Sequence, residues 1–335
     1  MSSLPWVSPR FIGQRAKPAR ALLSMASLDH GAFADLLALT VDYATHPGSF
    51  AEMLRNRRVG LLFAKTSTRT RLSFWRAATD MGADTIFLDG GALQTNTGES
   101  WADTGRVLAQ YLDALVVRTN GLIDEMREIS EGLPATINAM SRCEHPTQAL
   151  SDYAAIHEAF GRTEGLSLAY LGEGNNTAAA IALLFSRVRG SRCNFYCPAG
   201  YELDDRIASI ATHFAAGSGA IISFANEVPK NPDPVDIVYT TRWQTMGVPH
   251  TEENWRAIFA PFRVDTALFE RFKKPTGSVF MHDLPAVRGD EVAGEVLDGP
   301  SSIAIRQSFH KTSGAAGALL WSLAGQAAAT QQNSA

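Results

Sequence analysis

Between positions 67 and 71 the chain reads Ser67-Thr68-Arg69-Thr70-Arg71, three hydroxyls and two guanidiniums in five residues. An apolar run over 59–64 precedes them and predicts a short buried strand. After them Leu72, Phe74, Trp75, Ala78 and Met81 return at helix-like intervals, so a helix starts here with Ser67 or Thr68 at its N-cap. Unpaired N–H groups and the positive end of the helix dipole gather at such a corner. A guanidinium adds a rigid fork of donors that fits two oxygens of a phosphate. The pattern predicts a phosphate cradle. Taken alone it is equally compatible with a solvated, Ser/Thr-rich helix start, so the rest of the chain decides.

Three other stretches could do chemistry. An apolar run over 114–117 ends in Arg118-Thr119, which puts a guanidinium at the carboxyl edge of a parallel sheet, where ligands of open α/β sheets collect. His145-Pro146-Thr147-Gln148 opens a helical run to 160. Pro146 suits the first turn, His145 falls at the N-cap and Gln148 one turn on, on the same side. A neutral His there can donate to a carbonyl oxygen, and a Gln can donate to and accept from an amide-like group. The third stretch is Gly172-Glu173-Gly174-Asn175-Asn176-Thr177, at a strand-to-helix turn. A dinucleotide fingerprint wants glycine at Thr177 and an acid after the next strand, where Cys197-Pro198-Ala199 stands, so a nicotinamide site is disfavoured. Cys193 and Cys197 lie in a strand-like run without His partners and read as core thiols, and no metal set is expected.

These residues are positioned by alternating apolar runs and helical patterns. Helix 29–44, strands 59–64, 85–88 and 114–117, helix 100–111 and a Gly-rich loop 90–98 make a first α/β unit. Strands 166–171, 193–197, 220–224, 236–240 and 278–281, with helices 177–188, 202–214, 253–259 and 265–271, make a second. The fold class is therefore α/β, two doubly wound parallel-sheet domains, and an Ala-rich last helix, 314–323, is expected to return to the first domain. The expected division is an N-terminal extension 1–28, a first domain 29–150, a second 151–305 and a C-terminal segment 306–335. The extension carries Arg10, Arg15, Lys17 and Arg20 but no acid, and Pro5, Pro9 and Pro18 break any long helix; it reads as loosely held, in contact with a neighbouring subunit. The formal net charge of -4 argues against nucleic acid as a partner. No apolar run reaches the ~20 residues of a membrane span. Three cysteines cannot build a disulfide framework, so a reducing, cytoplasmic setting is expected.

In this order the motifs resemble the aspartate/ornithine carbamoyltransferases, over nearly all of 30–325. The match runs through Ser67-Thr68-Arg69-Thr70-Arg71, Glu99-Ser100, Arg118-Thr119, His145-Pro146-Thr147-Gln148, Asn175-Asn176, Thr245-Met246-Gly247 and His282-Asp283-Leu284-Pro285. Trp243 and the His-x-Leu-Pro corner lean to the ornithine branch. The resemblance implies a carbamoyl-phosphate domain, an amino-acid domain, a homotrimer that can pair into a hexamer, and no metal or organic cofactor. It implies that Ser67, Thr68, Arg69 and Thr70 hold phosphate, with Leu284 and Lys311 completing the carbamoyl-phosphate site. Arg118, His145 and Gln148 hold the carbamoyl group, and Arg71 is structural, tied to an acid. Asn176, Thr245 and Met246 belong to the site of the second substrate, a small amine.

That second site departs from the family. Thr241 stands where the ornithine enzymes carry an Asp for the substrate's α-ammonium, and a cation, Arg242, follows it. Losing an anion opposite a partly buried ammonium is costly. Asp283 replaces a Cys beside the attacking amine, where a carboxylate can take up a proton or clamp a repositioned ammonium. Lys311 stands where the family has an Arg, with Arg306 as the alternative. Gly98 replaces a basic residue in the loop 94–99 expected to reach a neighbouring subunit, and Trp101 is expected to shape the pocket. The expected function is a carbamoyltransferase acting on an amine of an amino acid or derivative. These departures favour a modified or non-standard acceptor over ornithine itself. A silent, ligand-binding homologue is the rival from another class.

Overall fold

The computed structural model describes residues 20–64, 67–133, 135–244, 250 and 252–331. It contains two parallel sheets. The first has four strands in the order β2-β1-β3-β4, with β1 at Arg58–Phe63, β2 at Asp84–Asp89, β3 at Ala114–Arg118 and β4 at Thr136–Met140. The second has five in the order β7-β6-β5-β8-β9: β5 Ser167–Leu171, β6 Arg192–Tyr196, β7 Ile221–Ala225, β8 Ile237–Thr240 and β9 Val279–His282. Every named pairing is parallel. Helices cover the sheets, so inner strands are buried on both faces; β3 and β4 are buried at every residue. That is why β3 reads as an apolar run up to Arg118 and not as an alternation. The edge strands β2 and β7 expose most of theirs.

The α/β reading holds, with differences in detail. The structure adds β4 and the helix before it, Ile123–Gly132, to the elements expected from the sequence. That helix is amphipathic but short and acidic, burying only Met126 and Ile129, too few apolar positions to stand out. The helix expected over 29–44 is α1, His30–Thr45, and the Asp29 side chain caps it through the Ala32 N–H. Helix α2 is Arg69–Asp80, α3 Trp101–Leu108 and α5 Pro146–Phe160, with α4 at Ile123–Gly132. α6 (Asn176–Phe185) is buried along its whole length between the layers. Of the expected extension, residues 20–28 are not loose: Leu22 donates to Thr136 O and accepts from Asn138 N, covering the exposed edge of β4. Residues 1–19 lie outside the described residues.

The last helix is longer than expected. We number α7 Asp205–Ser218, α8 Trp255–Phe259, α9 Thr266–Phe272, α10 Gly294–Leu297, α11 Ala304–Phe309 and α12 Lys311–Gln331. α12 packs on α1, α2 and α5 of the first layer set. Two glycines allow this. A Cβ on Gly314 would meet Thr147 O at 2.8 Å, and one on Gly317 would meet Thr40 Oγ1 at 2.1 Å. The close approach matters because Lys311, the first residue of α12, is carried onto α5 beside Gln148. Among the described residues no helix is long and apolar enough to cross a membrane.

Candidate active site

One cavity of about 290 Å³ gathers residues from the carboxyl ends of both sheets. Ser67, Thr68, Arg69 and Thr70 enter from the β1–α2 corner, Arg118 from the end of β3, His145 and Gln148 from the start of α5. Asn175, Asn176 and Thr177 come from the β5–α6 turn, Thr241, Arg242 and Gln244 from the end of β8, Asp283 and Leu284 from the end of β9, and Lys311 from α12. Segments more than 200 residues apart in sequence therefore meet at one place. Thr245 and Met246 lie outside the described residues.

At the phosphate corner Thr68 is the N-cap of α2, but its side chain makes no capping bond. Thr68 stands at the expected N-cap position without capping through its hydroxyl, and among the described residues no side-chain oxygen is bonded to this helix N-terminus. Arg118, only 5% exposed, donates through Nη1 to Thr70 Oγ1 at 3.0 Å. Burial lowers its pKa to about 10, helped by the charge of Arg69 and opposed by Asp283. Burial also lowers Arg69, again against Asp283. The Nε atoms of both guanidiniums are buried without a hydrogen-bond partner. Two crowded, underbonded cations at an open helix N-terminus form a site for an anion.

His145 is the N-cap of α5, and its N–H donates to Asn176 O at 3.1 Å. Burial, then Lys311 and Arg118, hold its pKa well below the usual histidine range, so it is a neutral imidazole. Burial likewise depresses Lys311, offset by Asp283 and Asp152. Its ammonium donates to Gln148 Oε1. Gln148 Nε2 donates to Asp152 Oδ1 at 2.7 Å. At the β9 end, Leu284 adopts φ +52° and is joined to Pro285 by a cis bond. Its N–H donates to His282 Nδ1 at 2.8 Å, and His282 Nε2 stands 3.3 Å from the buried Glu291.

In the second-substrate half, Asp283 Oδ1 accepts from Thr241 Oγ1 and Oδ2 from Thr177 Oγ1, both at 2.9 Å. Asn176 spends its amide donor on Ser141 O at 2.8 Å. Asn175 caps α6 through Thr177 N and Ala178 N, so of the Asn pair it is the structural member.

The expectation for Arg71 is corrected: it lies over the rings of Phe63 and Phe87, at 5.2 and 5.5 Å, rather than against an acid. Of the two candidates for the family's second-domain Arg, it is Lys311, the one preferred from the sequence, that lines the cavity, while Arg306 pairs with Glu158 at 2.7 and 2.5 Å on the surface. Trp101, expected to shape the pocket, lines a neighbouring cavity of about 180 Å³ that shares Arg118 with the site. Residues that sequence reasoning missed are Asp152, Thr177, Tyr239 and Gln307. Asp152 had a signal, an isolated acid one turn after Gln148 in an otherwise apolar stretch of α5. The other three had none, because their importance comes from contacts across 60 or more positions.

Residues 20–158 match the family model for the aspartate/ornithine carbamoyltransferase carbamoyl-P binding domain, and 164–323 the model for the Asp/Orn binding domain. The chain is an enzyme of the aspartate/ornithine carbamoyltransferase family. It is 36% identical over 291 residues to an ornithine carbamoyltransferase of Methanothermobacter thermautotrophicus, covering 87% of this chain and 94% of that one. With the one from Anoxybacillus flavithermus it shares 37% over 260 residues, 77% of this chain and 81% of the relative. Among solved structures it resembles the ornithine carbamoyltransferase of Pyrococcus furiosus, with a TM-score of 0.84 at 31% identity, covering 92% and 98% of the two chains. The anabolic enzyme of Campylobacter jejuni gives 0.82 at 27%, covering 91% and 99%.

Proposed function

We propose that the protein carries the carbamoyl group of carbamoyl phosphate to the side-chain amine of ornithine, releasing phosphate. The observation that carries this reading is the position of Asp283. The sequence favoured a modified acceptor because Thr241 brings no anion for an α-ammonium. In the fold a carboxylate stands 2.9 Å from the Thr241 hydroxyl, supplied from the neighbouring strand and held on its other oxygen by Thr177. The anion is kept and its chain position has moved, so the reason for preferring an acylated amine falls away. The ornithine carbamoyltransferases among the relatives support the same acceptor.

On this reading Ser67, Thr68, Arg69 and Thr70 hold the phosphate, and Lys311 adds charge. Leu284 and Gln148 hold the carbamoyl group. The unprotonated amine attacks the carbamoyl carbon; the new C–N bond forms as the bond to the phosphate oxygen breaks, and the amine proton is lost to phosphate or water. Negative charge grows on the carbonyl oxygen, and Arg118 and neutral His145 are the donors that meet it. Asp283 holds the α-ammonium, with Asn176, Thr241, Arg242, Thr245 and Met246 around the rest of the amino acid. Holding both reactants at one sheet edge supplies much of the remaining acceleration. A homotrimer is part of the proposal. Leu72, Trp75, Ile86 and Phe87 are 43–53% exposed along α2 and the edge strand β2, an apolar face that a second copy would cover.

The test is steady-state kinetics on Asp283→Asn. Removing a charged partner of an ammonium costs about 1.5–3 kcal/mol, so KM for ornithine should rise about 10- to 100-fold with KM for carbamoyl phosphate nearly constant. Adding Thr241→Asp should recover most of the loss. Turnover of α-N-acylated ornithine, with none of ornithine, would refute the acceptor.

A further inference from the structure

The corner 283–287 brings two groups to the cavity at once, Asp283 on the amine side and Leu284 on the carbamoyl phosphate side. Leu284 adopts φ +52°, a left-handed conformation that a leucine keeps only where its surroundings fix it. His282 supplies the hold, because its Nδ1 accepts the Leu284 N–H at 2.8 Å. A backbone N–H only donates, so Nδ1 carries a lone pair and the ring proton sits on Nε2. Nε2 in turn donates to Glu291 Oε1 at 3.3 Å. The same carboxylate oxygen accepts the Val287 N–H. Glu291 thus closes the corner from both ends, through the imidazole at Leu284 and directly at Val287. His282 and Glu291 are both fully buried, and Glu291 is itself anchored, since its carbonyl accepts the Val264 N–H at 2.9 Å. The tautomer also bears on Asp283, whose Oδ1 lies 3.5 Å from His282 Nδ1. A proton on Nδ1 would draw that carboxylate away from Thr241.

We propose that Glu291 is a positioning residue: by accepting from His282 Nε2 and from the Val287 N–H it holds the corner 283–287, and so aims Asp283 and Leu284 into the cavity together. The inference rests on the carbamoyl-transfer reading above. Glu291 is not among the residues that line the cavity, so it acts only through the corner. Without its oxygen, two buried donors lose their acceptor, and a buried donor left unpaired is costly enough to pull its segment toward another partner. The corner then shifts as a unit and both substrates feel it in step. Asp283→Asn, by contrast, acts on the amine alone.

The experiment measures KM for carbamoyl phosphate and for ornithine in the wild type, in Glu291→Leu and in Glu291→Gln. Glu291→Leu should raise both constants by similar factors, about tenfold or more. Glu291→Gln keeps an oxygen for both donors and puts its NH₂ where Oε2 has no partner, so both constants should stay within about threefold of wild type. A Glu291→Leu enzyme with lower kcat and both KM values unchanged, which is what a loss of folded protein alone would give, overturns the proposal. So does a rise in one constant only, or a Glu291→Gln enzyme as impaired as Glu291→Leu. A second measurement covers the case in which Glu291→Leu fails to fold. In wild-type protein labelled with ¹⁵N-histidine, with His282 assigned through His282→Asn, Nδ1 should be the unprotonated nitrogen and Nε2 the protonated one. A proton on Nδ1, in either the other tautomer or an imidazolium, overturns the proposal. Wild-type protein that fails to turn over ornithine would sink the reaction reading, and the tautomer would still judge the role of Glu291.

Discussion

Glu144, immediately before His145, is a carboxylate 2% exposed inside the first domain. Its Oε1 accepts the Met25 N–H at 2.9 Å and so ties residues 24–28 to the loop that presents His145. Burial raises its pKa from an ordinary 4.5 to about 7, against the bonds from Ser24 and Met25. The sign follows from linkage. Between pH 4.5 and about 7 the folded chain holds a proton on Glu144 that the unfolded chain has lost, so stability falls as pH rises through this window and the penalty is complete above it. Each pKa unit corresponds to about 1.4 kcal/mol, giving a penalty of about 3 kcal/mol at pH 8. Glu144→Gln keeps an acceptor for Met25, offers its NH₂ to Ser24 and cannot ionise. Its stability should match the wild type near pH 4.5 and exceed it by about 3 kcal/mol at pH 8. Denaturant midpoints of both proteins at half-unit steps of pH measure the difference, which also cancels the contribution of Asp152, raised by burial in both. Parallel curves across pH 4.5–8 would refute the reasoning, since they would mean that Glu144 stays ionised in the fold.

Other outcomes follow from the same geometry. Arg69→Ala should lower kcat by about 10²–10³ and weaken carbamoyl phosphate binding, since it removes a preorganised donor at the leaving phosphate; an unchanged KM for carbamoyl phosphate would count against the phosphate corner. His145 has a depressed pKa, so it favours the fold above its ordinary 6.5 and that contribution is lost as pH falls below it. Its ring should give the NMR shifts of a neutral imidazole at pH 6, and an imidazolium there would contradict its role as a neutral donor. Phe87→Asp, on the exposed face of β2, should shift the protein to smaller species in sedimentation if that face joins subunits; an unaltered trimer would move the interface elsewhere.

The legible part of this protein was the part written locally. The Ser67–Thr70 corner, the strand-ending Arg118 and His145-Pro146-x-Gln148 each combine an apolar run with a helix start, and period and capping chemistry act within one or two turns. The buried strands β1, β3, β5 and β8 were visible for the same reason. β4 and α4 were not, since a five-residue strand beside a short acidic helix offers little periodicity to read. The role of Arg71 was misassigned because nothing local says that Phe63 and Phe87 flank it.

Sequence alone fixed the chemistry on offer: which side chains bind an anion, which donate to a carbonyl, and that an anion was missing at Thr241. Tertiary structure decided what those side chains do. Parallel strands β8 and β9 lie side by side, so an acid at the end of one reaches the hydroxyl at the end of the other, 42 positions away. Gly314 and Gly317 let α12 settle onto the first domain and deliver Lys311 to Gln148 across 163 positions. Such partnerships depend on strand order and helix packing, which are set by burial summed over the whole chain, and no window of sequence carries them.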